Sequence, residues 1–216
     1  MITDKQLLIV TGLAGLLAAT LVGVGEFLLH FDPLARYAGG YVFFEAVEQN
    51  RATAGHFIGV LSAPLYIIGV WHIAKMLSPA SKTWSGVAFF VMSYGFMIGA
   101  IWIGSRASAA ALVASGDMMP VTDLLGLYEL RYETLLSVIR IAALVFSLIY
   151  IALIVSGRTA YPRWMAIFNP LLLILGNFLV FFLSPEVGKY LMPIALNVSF
   201  FIIFAMSLIV VSKHRK

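Results

Sequence analysis

Apolar positions dominate six long stretches of the chain, at about 6–31, 52–77, 84–115, 122–156, 161–184 and 189–212. Each is long enough for the roughly 20 mostly apolar residues that a helix needs to cross a bilayer, where no water is present to satisfy the backbone. The third stretch has an Ala-rich extension beyond 104 and the fourth a polar lead-in before 134. The pattern predicts an all-α fold, a polytopic six-helix transmembrane bundle. It forms a single integral membrane domain over residues 1–216, with nothing left for a separate soluble unit. The first stretch is preceded by only Asp4 and Lys5 as charged residues, and its apolar run is too long for a signal peptide. It reads as a retained helix.

Two connections break the rhythm. Residues 32–51, DPLARYAGGYVFFEAVEQNR, are too polar to span yet enclose the apolar YVFFEAV, with Pro33 and Gly39-Gly40 as breaks. This predicts an interfacial or re-entrant segment between the first two helices. Residues 105–133 read as helical extensions of the third and fourth spans, turning near Gly116-Asp117 and Pro120.

Composition sharpens the class. Apolar residues make up 62% and charged residues 11%, against about 45–50% and 25% in soluble domains. So few charges cannot cover a soluble surface, and so much hydrophobicity is incompatible with disorder. The absence of cysteine excludes disulfides, thiol nucleophiles, iron–sulfur clusters and c-type haem attachment. Charge placement predicts orientation. With the N-terminus cytoplasmic, the inner segments carry Lys5, Lys75, Lys82, Arg158, Arg163, Lys213, Arg215 and Lys216, with Asp4 their only acid. Every other acid falls on the outer half, among Arg36, Arg51, Arg106, Arg131, Arg140 and Lys189. Both termini are therefore expected on the cytoplasmic side of a plasma or inner membrane. Trp71, Trp84, Tyr161 and Trp164 fall at the expected inner interface, and His72 beside Trp71 reads as an ordinary interfacial residue.

Ionisable groups inside a membrane are costly, so their depth is informative. Glu26 and His30 share one face near the outer end of the first helix, and His56 lies one turn into the second. Arg106 ends the third span, while Glu129, Glu133 and Arg140 recur on one face of the fourth. Asn177 and Asn197 lie in the outer parts of the last two. Asp123, Glu129, Glu186 and Lys189 are read as ordinary helix-end charges, and Arg36, Glu45, Glu48 and Arg51 as the polar face of an amphipathic segment. That leaves Glu26, His30, His56, Glu133 and Arg140 as candidate catalytic residues, with Arg106, Asn177 and Asn197 as candidate substrate-binding residues. Burial would bring a glutamic acid into the range useful for proton transfer, and arginines suit an anionic group. A Glu26–Arg140 ion pair is the purely structural alternative.

No cofactor is assigned. His30, His56 and Glu26, together with the Glu129/Glu133 pair, are the candidates for metal ligation, and neither HExxH nor Glu-x-x-His spacing is present. His56 and His72 are about 24 Å apart along one helix and cannot share a haem, whereas His30 and His56 lie at one depth. No lysine sits within an apolar span for a Schiff base, and neither a Gly-rich nucleotide loop nor a Gly-x-Ser-x-Gly elbow occurs.

Pro-Leu recurs in the second and fifth stretches, in APLYIIG (63–69) and NPLLLILG (169–176). Interrupted helices in corresponding positions are the sequence sign of a 3+3 inverted repeat. Pro64 and Pro170 should each free a carbonyl four residues earlier, with Ser62 and Asn169 near enough to help satisfy the opened backbone. Small-residue rows at Gly15-Ala19-Gly23, Gly55-Gly59 and Gly95-Gly99 permit close helix contact, within the chain or in an oligomer. Three functions fit. The first is an enzyme or binding protein for a small hydrophobic or lipid-like ligand at the outer polar cluster. The others are a small transporter or carrier, and a structural or sensory subunit. The expected partners are the bilayer and an amphiphile, not a nucleic acid.

Overall fold

A computed structural model describes residues 4–37, 41–114 and 120–213, and among these the fold is all-helical. Eight α-helices follow one another: α1 (Asp4–His30), α2 (Gln49–Ser62), α3 (Pro64–Leu77), α4 (Lys82–Ala114), α5 (Pro120–Val155), α6 (Pro170–Leu183), α7 (Pro185–Leu191) and α8 (Ala195–Lys213). Short 3-10 turns occupy Val42–Ala46, Arg163–Ile167 and Met192–Ile194. Five helical runs are long and apolar enough to cross a membrane: Asp4–His30, Gln49–Leu77, Lys82–Ala114, Gly126–Val155 and Pro185–Lys213. The expected break inside the second run lies at Ala63–Pro64, because proline lacks the N–H that would continue the ladder. Ser62 turns its hydroxyl back to the Ile58 carbonyl there, rather than to Val60.

The stretch expected to span at 161–184 folds differently. Only its second part is an α-helix, the 14-residue α6, about 21 Å long at 1.5 Å per residue. Asn169 caps it by accepting from Leu172 N at 3.1 Å, and Pro170 takes the first helical position. Pro170 thus begins a helix, whereas Pro64 interrupts one, so the two prolines play different parts. Asn169 Nδ2 also donates to the Ala166 carbonyl at 2.8 Å, the backbone role expected of it. The irregular residues before α6 are packed inside the protein, with Tyr161, Met165 and Asn169 all buried.

Helix α1 is the hub, with α2, α3 and α8 laid antiparallel against it. Lys5 Nζ donates to the Ser212 carbonyl at one end of the α1–α8 pair, and Asn197 bonds Glu26 at the other. Glycine makes the crossings close. A β-carbon on Gly25 would stand 2.5 Å from Gly59 N, and one on Gly69 would stand 2.6 Å from Gly15 Cα. Backbones meet directly at both places. Helix α4 covers α2 and α3, and α5 packs antiparallel on α4 through Gly95 and Ala142. Stacked rings fill the middle: Tyr66 and Phe96 lie 3.8 Å apart at 7°, with Phe200 edge-on to both.

The described residues between α1 and α2 hold one short 3-10 helix, Val42–Ala46, packed on the protein. Asp32 organises the start of this segment, accepting from Leu34 N and Arg36 N at 3.1 Å each and from Arg36 Nε at 2.7 Å. Arg36 also bonds Glu45 at 2.9 Å, and Tyr37 Oη donates to the Lys189 carbonyl at 3.1 Å. Arg51 donates to the Leu28 and Phe31 carbonyls, closing the C-terminus of α1. So anchored, the segment buries Phe43 and Phe44 against the protein instead of lipid. The expected Gly39-Gly40 break and Gly116-Asp117 turn lie outside the described residues.

Candidate functional site

At the helix ends remote from Lys5 and Ser212, a cavity of about 520 Å³ opens between α1, α4, α5, α6 and the start of α8. Tyr37, Tyr41 and Phe43 roof it from the anchored segment, and Phe96, Leu136, Ile139, Phe178 and Leu196 give it apolar walls. Six of the eight site residues expected from sequence line it: Glu26, His30, Arg106, Glu133, Arg140 and Asn197. Helical phase explains the gathering. Glu26 and His30 are one turn apart on α1, and Glu133 and Arg140 are two turns apart on α5.

His30 and Arg106 form the inner wall. His30 Nδ1 lies 3.0 Å from the Glu26 carbonyl, and its Nε2 lies 2.9 Å from Arg106 Nε. A carbonyl only accepts and an arginine N–H only donates, so the ring carries its proton on Nδ1 and is neutral. Both ring nitrogens are thereby committed. The Arg106 guanidinium is only 6% exposed and sits among five rings: Trp102 at 4.7 Å, Phe44 at 5.0 Å, Tyr41 at 5.2 Å, Phe43 at 5.4 Å and Tyr132 at 5.7 Å. Cation–π attraction is strongest where water is excluded, as here.

Across the cavity, Tyr66 Oη donates to Asn197 Oδ1 at 2.6 Å, which orients the amide so that Nδ2 donates to Glu26 Oε2. One carboxyl oxygen of Glu26 is held and the other has no partner among the described residues. Glu133 and Arg140 occupy the rim, 3.7 Å apart and more than half exposed. The expected Glu26–Arg140 pair is therefore replaced by Glu26–Asn197 and Glu133–Arg140. Outside the spans, burial pushes the Asp32 carboxyl up, but the Arg36 side chain and two backbone N–H groups outweigh this and hold it below its usual value. Burial pushes the Tyr41 phenol up, against the nearby Arg106 charge.

Two expected residues lie elsewhere. His56 is not in the cavity wall; it faces Gly104 of α4 and packs edge-on against Phe57, with Nδ1 buried and unpartnered. Asn177 donates to the Ala195 carbonyl at 3.2 Å and ties α6 to α8. Among the described residues no three His, Asp or Glu side chains come together as a metal site, so Glu26, His30 and His56 do not form one. His30 and His56 likewise do not face a common cavity, which removes the basis for a shared haem.

Sequence reasoning missed His72. It is fully buried within the protein, between Thr11 Oγ1 at 3.4 Å and Ser207 Oγ at 2.6 Å. Tyr161, also buried, is 2.7 Å from Ser207. This chain joins α1, α3, α8 and the turn before α6 at the opposite end from the cavity. Tyr41, Trp102 and Tyr132 were also missed as site residues. Their sign was aromatic density around the one deep arginine.

No curated protein and no solved structure matches the sequence. From residue 3 to residue 214 it fits the model of DUF6796, a family of unknown function, and the chain belongs to that family.

Proposed function

We propose that this protein binds a small amphiphile in the cavity beside Glu26 and acts on it by proton transfer. The observation that carries this reading is the cavity of about 520 Å³, with apolar walls and a few polar groups gathered at one end. That is the usual make-up of a small-molecule site. Glu26 is the acid–base group, because it is less exposed than Glu133 and one of its oxygens has no partner among the described residues. His30 positions Arg106, since both its nitrogens are engaged. Arg106 meets the polar end of the ligand.

In this reading the chain makes six passes, with α6 and the packed turn before it forming the fifth. The bond between Lys5 and Ser212 supports an even number, because it holds the first and last helices at one end. The basic residues at that end support a cytoplasmic position for it, with the cavity on the other side.

Native mass spectrometry in a neutral detergent tests the proposal. One bound amphiphile per chain is expected, and Gly99→Leu should expel it, because the space beside Gly99 is open to Ile139 Cδ1 at 3.8 Å. Glu26→Gln should retain the ligand and block its conversion. No bound species in the wild type, or one that Gly99→Leu leaves in place, sinks the reading.

A further inference from the structure

We infer that the cavity ligand is a single-chain amphiphile with an anionic head, a carboxylate or phosphate, held by Arg106, Trp102 and Tyr41. This rests on the cavity being a ligand site and names the class of ligand it takes.

The hydrogen-bond inventory around Arg106 points to an anion. The guanidinium has five N–H groups, and one, on Nε, is used by His30. The four on its terminal nitrogens have no hydrogen-bond partner among the described residues. Two further groups beside it are orphaned. Trp102 Nε1 and Tyr41 Oη are both buried without partners, and both residues line the cavity with their rings against the guanidinium. Indole N–H only donates, and a phenol donates readily. Buried polar groups are nearly always satisfied, so orphans sharing one wall need a common explanation. The Arg106 nitrogens and Trp102 Nε1 can only donate, and the Tyr41 hydroxyl can donate as well, so a ligand that brings acceptor oxygens completes all three. The terminal nitrogens form the fork that grips a carboxylate or phosphate at two points.

Charge agrees with the donor count. Three carboxylates line the cavity: Glu133 is matched by Arg140 at 3.7 Å, one oxygen of Glu26 is bonded by the Asn197 amide, and Glu129 is exposed and has no ion pair among the described residues. No carboxylate among the described residues stands within 4 Å of Arg106. His30 is neutral and offers it a lone pair but no charge. The aromatic rings stabilise the cation without neutralising it, leaving its charge available to an anion in a water-poor site.

Size selects the rest of the molecule. At about 30 Å³ for each water-sized group, a cavity of about 520 Å³ holds roughly 17 groups. That is one medium-length acyl chain with its head. Much of a two-chain phospholipid would lie outside that volume, and a bare anion would leave Phe96, Leu136, Ile139 and Leu196 facing empty space.

Equilibrium binding of radiolabelled tetradecanoate to the full chain in dodecyl maltoside tests this, with tetradecyl phosphate, 1-tetradecanol, tetradecylamine, acetate and dimyristoyl phosphatidylglycerol as competitors. Saturation at one per chain is expected for tetradecanoate or tetradecyl phosphate, with the alcohol at least about tenfold weaker. Tyr41→Phe and Trp102→Phe keep the rings and remove one donor each. Each should weaken the anion about tenfold and leave the alcohol unchanged. Both remain informative if Arg106→Gln fails to fold. Equal binding of alcohol and anion, or preference for the amine, overturns the anionic head and leaves the amphiphile cavity standing. Competition by acetate or dimyristoyl phosphatidylglycerol at matching concentration overturns the single chain. If no single-chain compound binds, the cavity reading falls as well.

Discussion

Replacing Gly25 by alanine tests the helix crossing on which the site is built. A β-carbon there would stand 2.5 Å from Gly59 N, 2.7 Å from Gly59 Cα and 2.8 Å from Gly55 O. All three are backbone atoms and cannot rotate away. Restoring ordinary contact requires α1 and α2 to separate by about 0.6–0.9 Å, and a gap of that size forfeits a quarter to a half of the dispersion attraction across the interface. Overpacking of this kind costs about 1–3 kcal/mol, and alanine's better helix propensity returns no more than about 1. Because the clash is with backbone, the upper part of that range applies, for a net loss of about 2 kcal/mol. In a chain of this size that lowers Tm by roughly 4–8 °C. Gly176→Ala is the matched control, since nothing lies within 4 Å of its added carbon. There propensity acts alone, and Tm should stay level or rise by a few degrees. Thermal unfolding of the purified protein in detergent, followed by static light scattering, reads both. A Gly25→Ala protein as stable as Gly176→Ala would refute direct backbone packing between α1 and α2.

Ser207→Ala should destabilise the end remote from the cavity by roughly 2–6 kcal/mol, because it strands two buried partners, His72 Nε2 and Tyr161 Oη, at about 1–3 kcal/mol each; an unchanged Tm would show that the chain of bonds is not formed. Tyr66→Phe frees the Asn197 amide to turn away from Glu26 and should slow conversion of the bound amphiphile more than it weakens binding, a split visible in kcat against KM. Asp32 has a folded pKa below its unfolded value of about 3.9, so its contribution is complete above that value and is lost as pH falls through the lower folded one. Hydrogen exchange over residues 41–47 should therefore stay slow down to about pH 4 and quicken below it, and Asp32→Asn should quicken it at neutral pH and converge with the wild type once Asp32 is protonated; a variant protected like the wild type at neutral pH would remove Asp32 from the anchoring of this segment.

Depth was legible in the sequence, and rotation about the helix axes was not. Glu26, His30, Arg106 and Asn197 were found because each lies toward the cavity end of its helix, and Glu133 and Arg140 because they share one face of α5, which follows from counting residues. His56 satisfied the same count, yet it faces Gly104 and away from the cavity. The face a helix turns inward depends on its neighbours, and the sequence does not name them. His72 failed for the converse reason. Thr11, Ser207 and Tyr161 are unremarkable singly, and only the fold collects them. Hydropathy also merged the turn at 163–167 with α6, because both are apolar. The finer signal was present in Asn169-Pro170, a capping residue followed by a first-position proline.

The 14 residues of α6 have a consequence for the surrounding lipid. A rod of about 21 Å cannot match an apolar layer of about 30 Å. Leu175, Leu179, Phe182 and Leu183 are exposed along it, so acyl chains must still cover that flank. Such hydrophobic mismatch is relieved by local thinning of the bilayer. Ile174 and Phe178 belong both to α6 and to the cavity wall. The short helix therefore adjoins the cavity, and in the six-pass arrangement proposed above any thinning of the bilayer around it would fall beside the cavity mouth.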